Sequence, residues 1–149
     1  MKAVVQRVTS ASVEVDGQTI GAIKRGFLVL VGVAQDDTGD DVRYTAEKCA
    51  KLRIFEDAAG KMNLALADVS GAMLIISQFT LLGDVTSGRR PFFGGAARPE
   101  TAIPLYEMFI DEVKKQGVTT ASGKFGADMK VSLCNDGPVT IIIDSTERK

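Results

Sequence analysis

Gly26-Phe27-Leu28-Val29-Leu30-Val31-Gly32-Val33 is apolar throughout, with a glycine near each end. Without polar alternation, residues 27–33 read as a strand buried on both faces, which requires cover on both sides. Upstream, Val4, Val8, Val13 and Val15 alternate with polar residues, as half-buried strands do. Asp16-Gly17, between residues 12–15 and 19–23, is the turn signature of a tight hairpin. Downstream, Thr38 and Asp41 form a capping pair, and Asp40 and Asp41 suit the positive end of a helix. Val42, Thr45, Ala46, Cys49 and Leu52 then share one helical face.

Residues 53–56 read as a short strand and Ala59-Gly60 as a turn. Residues 72–76 form a second apolar run leading straight into Ser77-Gln78-Phe79-Thr80-Leu81. Residues 83–97, rich in Gly and Arg, read as a long surface loop. A second helix is expected with Thr101 as cap, Pro104 in its first turn, a buried stripe of Leu105, Met108, Phe109 and Val113, and Gly117 as its stop. Residues 129–134 and 139–144 read as a closing hairpin about Asn135-Asp136-Gly137-Pro138. The order predicts a mixed α/β fold, one domain over residues 1–149, with two main helices packed on one side of the sheet. Too few strands alternate with helices for a doubly wound topology.

Composition narrows the chemistry. The chain has 149 residues, a net charge of −1, two cysteines and no histidine. Without imidazole, a Ser-His-Asp or Cys-His mechanism is excluded. Cys49 and Cys134 lack partners at ligand spacing, so no metal and no cofactor are expected, and both thiols read as small core residues. No apolar run approaches the roughly 20 residues that cross a bilayer. The polar residues Gln6 and Arg7 also cut the first apolar stretch short of a signal peptide. A cytoplasmic location with no membrane contact is the expectation, and any nucleic-acid partner must meet a local basic patch.

Three segments carry chemical possibilities. Residues 77–81 place hydroxyl and amide groups at a strand end, where they either line a pocket or, more commonly, satisfy nearby backbone. Residues 135–140 hold what any hairpin turn uses, although a Gly-Pro bond is also open to the cis form. Gly88-Arg89-Arg90-Pro91-Phe92-Phe93-Gly94-Gly95, followed by Arg98, sets arginines beside aromatics. Such a loop either holds a phosphate and stacks a base or is plain solvated surface.

Together these segments resemble the bacterial and eukaryotic D-aminoacyl-tRNA deacylases nearly end to end. The likeness starts at Val5-Gln6-Arg7-Val8 and runs through residues 26–32, Arg53-Ile54-Phe55 and Gly60-Lys61-Met62-Asn63. Its signatures are Ser77-Gln78-Phe79-Thr80-Leu81 and Asn135-Asp136-Gly137-Pro138-Val139-Thr140. The resemblance implies a three-layer fold of two β-sheets and a helical layer, and a homodimer with its active site at the subunit interface. It also implies hydrolysis of the ester at the 3′ end of D-aminoacyl-tRNA, and of glycine mischarged on alanine tRNA. Gly137-Pro138, in the cis form and braced by Arg7, would enter the partner's pocket and reject L-residues by clash.

In the same resemblance Ser77, Gln78, Phe79 and Thr80 form the catalytic wall, with oxyanion donors at the N–H groups near Gln78 and Phe79. Met129 lines the pocket. Thr80 is either a nucleophile or a positioning group while the 2′-hydroxyl of the terminal adenosine activates water. The lack of histidine favours the second role, since an unassisted hydroxyl is a weak nucleophile. Many members carry Arg-Pro-Ser-Phe where this chain has Arg90-Pro91-Phe92-Phe93, which leaves the adenosine contacts of Phe93 and its loop open. Three competitors are a tRNA-binding module without catalysis, a relative with a trans Gly-Pro bond that admits some L-residues, and a general small-molecule esterase.

Overall fold

The computed structural model describes residues 1–149. Strand β1 (Lys2–Val15) turns through Asp16 and Gly17, at φ of 52° and 75°, into antiparallel β2 (Gln18–Ile23). These are left-handed conformations of the kind a two-residue hairpin needs. The first half of β1 also pairs with β3 (Gly26–Gly32), from Lys2↔Gly32 to Val8↔Gly26. Helix α1 (Gly39–Lys51) and a small ribbon of β4 (Phe55–Glu56) and β5 (Met62–Leu64) lead to β6 (Ala72–Ser77), parallel to β3. Helix α2 (Pro99–Lys115) crosses to β7 (Thr119–Ser122), parallel to β6. β8 (Lys130–Asp144) closes the chain against the other edge of β1.

Both faces of β3 and β6 are buried, as the apolar runs predicted. Phe27, Val29, Val31, Met73 and Ile75 face a core shared with Val42, Ala46, Cys49, Tyr106, Phe109 and Val113 of the helices. Leu28, Leu74 and Ile76 face a second core with Val8, Ala11, Val13 and Ile23. The second core exists because the sheet doubles over, laying β2 across β6 and β7, where Gly21 sits against Ser122 and Leu74. The three layers are therefore helices, central strands and a folded-back sheet layer. The two sheet layers belong to one six-stranded hydrogen-bonded sheet. No helix is long and apolar enough to cross a membrane.

Asp41 caps α1, its carboxylate accepting from the Thr38 N–H at 2.9 Å and from Arg148 at 2.8 Å. Tyr106 donates its hydroxyl to the Ile75 carbonyl at 2.7 Å and ties α2 to β6. Burial raises its pKa above the ordinary tyrosine value, so the group remains a donor.

Several expectations are corrected. Helix α2 begins at Pro99 with Arg98 as its cap, so Thr101 is the third helical residue and Pro104 lies beyond the first turn. Pro99 takes the position where a missing N–H costs nothing. Pro104 leaves the Glu100 carbonyl without a helical partner, at a place where both residues are exposed. The buried stripe is Ala102, Tyr106, Phe109 and Val113, with Leu105 and Met108 only partly buried.

In β1 the buried apolar residues are Ala3, Val5, Val8, Ala11 and Val13, while Val4 and Val15 are half-exposed. Irregular pairing on either side of Val8 resets the alternation there. Cys49 is buried, its thiol pushed up to about 12 by desolvation, whereas Cys134 lies exposed on β8. The closing hairpin does not form: β8 is one continuous strand running antiparallel to β1 over nearly its whole length.

The β3–β6 contact has no room at Gly26, where an added Cβ would stand 1.8 Å from the Ala72 carbonyl oxygen. Gly26→Ala is expected to destabilise the protein by about 3–5 kcal/mol, through loss of this pairing. Chemical denaturation of the two proteins measures it, and a loss below about 1 kcal/mol would mean that the strands can separate freely there.

Candidate functional site

Parallel strands joined by helical crossovers leave their C-terminal ends open to loops, and pockets collect there. At the end of β6 the Gln78 N–H donates to the Val31 carbonyl at 2.8 Å, which stitches the chain to β3 before it turns. Phe79–Leu82 then forms a single 3₁₀ turn. A cavity of about 470 Å³ opens beside this turn. Leu28, Leu30, Ile76 and Val131 are among the apolar lining, Phe125 and Met129 approach from the segment before β8, and Ser77 to Thr80, with Gln6 and Asp128, bring polar groups to it.

The structure thus brings Ser77, Gln78, Phe79, Thr80 and Met129 together. Phe93 does not line the cavity. It packs edge-on against Phe79, ring centres 5.0 Å apart, and backs that wall from outside. Gly137, Pro138 and Arg7 lie apart from the cavity of their own chain.

Of the N–H groups near Gln78 and Phe79, that of Gln78 itself is already engaged by the Val31 carbonyl. Phe79 and Thr80 open the 3₁₀ turn, so their N–H groups have no acceptor within it. The Thr80 hydroxyl oxygen accepts from the Gln78 side-chain amide at 3.0 Å, and no carboxylate or amine is hydrogen-bonded to it.

The second half of the candidate site is a bulge in β8. The β1–β8 ladder holds at Gln6↔Thr140 and at Val8↔Asn135, so Arg7 alone stands opposite residues 136–139. The surplus residues are extruded, with Gly137 and Pro138 exposed and the peptide bond between them cis. Asn135 clamps the base of the bulge: its Oδ1 accepts from the Val139 N–H at 2.8 Å, and its amide donates to the Val139 carbonyl and the Thr140 hydroxyl.

From below, the buried Arg7 guanidinium donates Nε to the Asp136 carbonyl at 2.9 Å and Nη1 to the Ile54 carbonyl at 2.7 Å. The Asp136 carboxylate adds an ion pair at 3.7 Å. Gly137 has φ +142°, and a Cβ there would meet Val139 Cγ2 at 2.6 Å. Sequence reading missed Asn135 as a clamp, although asparagine before Asp-Gly-Pro carried the signal. It also missed Gln6 and Phe125 as lining residues, although both fall in segments that carry the family likeness.

Known proteins match this arrangement along most of the chain. A family model described as D-Tyr-tRNA(Tyr) deacylase matches residues 4–144. A D-aminoacyl-tRNA deacylase of Thermus aquaticus is 56% identical over 148 residues, covering 99% of this chain and 97% of that protein. One from Anaeromyxobacter dehalogenans (strain 2CP-C) is 59% identical over 145 residues, covering 97% of each. Among solved structures, a c-Myc DNA unwinding element binding protein superposes with a TM-score of 0.90 at 42% identity, over 97% of this chain and 98% of that one. A probable eukaryotic D-amino acid tRNA deacylase shares the fold, with a TM-score of 0.83 at 17% identity over 95% and 97% of the two chains. The chain belongs to the D-aminoacyl-tRNA deacylase family.

Arg7→Ala would strand two carbonyls that now accept from a buried cation. It is expected to cost about 2–4 kcal/mol, with Arg7→Lys recovering less than half because an ammonium lacks the planar fork. Denaturation midpoints of the three proteins check this, and equal stability of the lysine and native proteins would count against the fork.

Proposed function

We propose that the cavity receives the aminoacylated 3′ end of tRNA and hydrolyses the ester of D-amino acids and of glycine mischarged on alanine tRNA. Two subunits form the working unit, the Gly137-Pro138 bulge of one protomer closing the cavity of its partner. The observation that carries this reading is the bulge itself. A rigid, solvent-facing motif, held from below by Arg7 and Asn135 and set apart from its own cavity, suits a wall that serves a second subunit. The carbonyls of such a wall would face the α-amino group and leave no space for an L side chain. Glycine and D-residues pass. The expected compartment is the cytoplasm, where tRNA is charged and used.

The chemistry fits an activated ester. Water adds to the ester carbonyl, and the N–H groups of Phe79 and Thr80 hold the developing oxyanion, in general the largest electrostatic contribution to such a step. The adenosine 2′-hydroxyl orients the water and relays its proton. The bond from the carbonyl carbon to the 3′-oxygen then breaks, releasing free amino acid and a tRNA 3′-hydroxyl. Thr80 positions substrate through its hydroxyl, with Gln78 holding that hydroxyl in place. A nucleophilic role would need a base to take its proton, and no such group is hydrogen-bonded to it.

The direct test is hydrolysis of D-tyrosyl-tRNA against L-tyrosyl-tRNA by the purified protein with a chelator present. Selective release of D-tyrosine is expected. Inertness toward both by a folded dimer would favour a tRNA-binding role without catalysis. Thr80→Ala is expected to retain at least about a tenth of kcat, as for loss of one hydrogen bond. Complete loss, with the fold intact by circular dichroism, would make Thr80 the nucleophile.

A further inference from the structure

We propose that the loop tip between Asp84 and Phe92 is a second RNA contact, in which Arg89 and Arg90 hold backbone phosphates just upstream of the terminal adenosine. This inference rests on the function proposed above and names the surface that function would use for the rest of its substrate.

The loop is built. Asp84 and Phe92 exchange two backbone hydrogen bonds of 2.8 Å, which pinch the tip into a small hairpin. The Asp84 carboxylate turns inward to accept from the Thr86 N–H at 2.8 Å and the Thr86 hydroxyl at 2.7 Å, bonds that hold it below the usual carboxylate range. Its negative charge is therefore engaged at the base of the hairpin. Below the pinch, the Gln35 N–H donates to the Gly95 carbonyl at 3.0 Å and the Ala97 N–H to the Val33 carbonyl at 2.9 Å, sewing the loop to the segment after β3. Phe93, against Phe79, fixes the loop at the mouth of the cavity.

The charge on this hairpin is unspent. Arg7, Arg43, Arg98 and Arg148 each pair with a carboxylate, Arg25 stacks on Phe55, and Arg53 bonds Asn63. Arg89 and Arg90 are exposed and have no partner of any of these kinds. Two guanidinium groups with free donor forks are suited to phosphate oxygens. The neighbouring Phe92 is 67% exposed and offers a ring on which an unpaired base can stack. Arg90 is three residues from Phe93, so the two Cα atoms lie within about 11 Å, roughly the rise of three nucleotides. With a net charge of −1 the protein exerts no general pull on RNA, so a fixed local cationic tip beside the cavity matters the more.

The test compares the native protein with Arg89→Ala/Arg90→Ala on two substrates, D-tyrosyl-tRNA and D-tyrosyl-adenosine, which carries the same ester and no upstream phosphate. Across a salt series the double variant is expected to lose about tenfold in kcat/KM on the tRNA, with a log–log salt slope shallower by roughly 1.5. On the adenosine ester it should stay within about twofold of the native protein. Unchanged cleavage and salt slope on tRNA would overturn the proposal, as would an equal loss on both substrates, which would place the arginines in the cavity chemistry. Binding of uncharged tRNA, followed by fluorescence anisotropy, separates this inference from the enzymatic reading. Arginine-dependent binding by a native protein that cleaves neither ester keeps the contact and removes the hydrolysis. Active cleavage with no dependence on the arginines does the reverse.

Discussion

Burial of both faces of β3 and β6 is the constraint from which the rest of the architecture follows. Their parallel pairing demands helical crossovers, which cover one face with α1 and α2. The other face has no helices available and must be covered by strands. The chain does this by making β1 and β8 long enough to bend and by folding β2 back across β6 and β7. The cavity is the gap left where that folded layer and the segment before β8 do not quite close over the strand ends.

The candidate site contains no histidine, and its polar elements are backbone N–H groups, the amides of Gln6 and Gln78, the hydroxyls of Ser77 and Thr80, and the carboxylate of Asp128. Such a site does little to generate a nucleophile. It can orient, exclude and stabilise, which suffices when the bond is an activated ester whose leaving group carries its own hydroxyl. Under the proposed function, specificity and catalysis would also be separated along the chain: the turn after β6 would supply the oxyanion donors, and the bulge in β8 would set what can enter. Their supports differ too: β3 and Phe93 hold the turn, and Arg7 and Asn135 hold the bulge.

Much of this was legible in the sequence. The apolar runs at 27–33 and 72–76, the Asp16-Gly17 hairpin and the Thr38 cap are local signals, and each appears where expected. Ser77 to Thr80 and Met129 meet at one cavity, as the resemblance implied. What failed was non-local. Asn135-Asp136-Gly137-Pro138 has the composition of a hairpin turn, but β1 is long enough to pair with both halves of β8, so the same residues became a bulge. Thr119–Ser122 is short and polar and gains strand status only from its neighbour β6. That the Gln78 N–H is engaged was equally hidden, because its acceptor, the Val31 carbonyl, lies 47 residues away in the chain.

The bulge also bears on how the chain finds its fold. Two strands of 14 and 15 residues could slide past each other in steps of two with little change in which side chains face the core. A surplus that fits at only one place, opposite a single buried arginine, removes that freedom. β8 also lines the cavity through Val131 and Leu133, so one setting of the ladder positions both the pocket of a subunit and the motif it would lend to another. The extruded residues act as the notch of a key, and a misaligned strand would announce itself by leaving Arg7 charged, buried and alone.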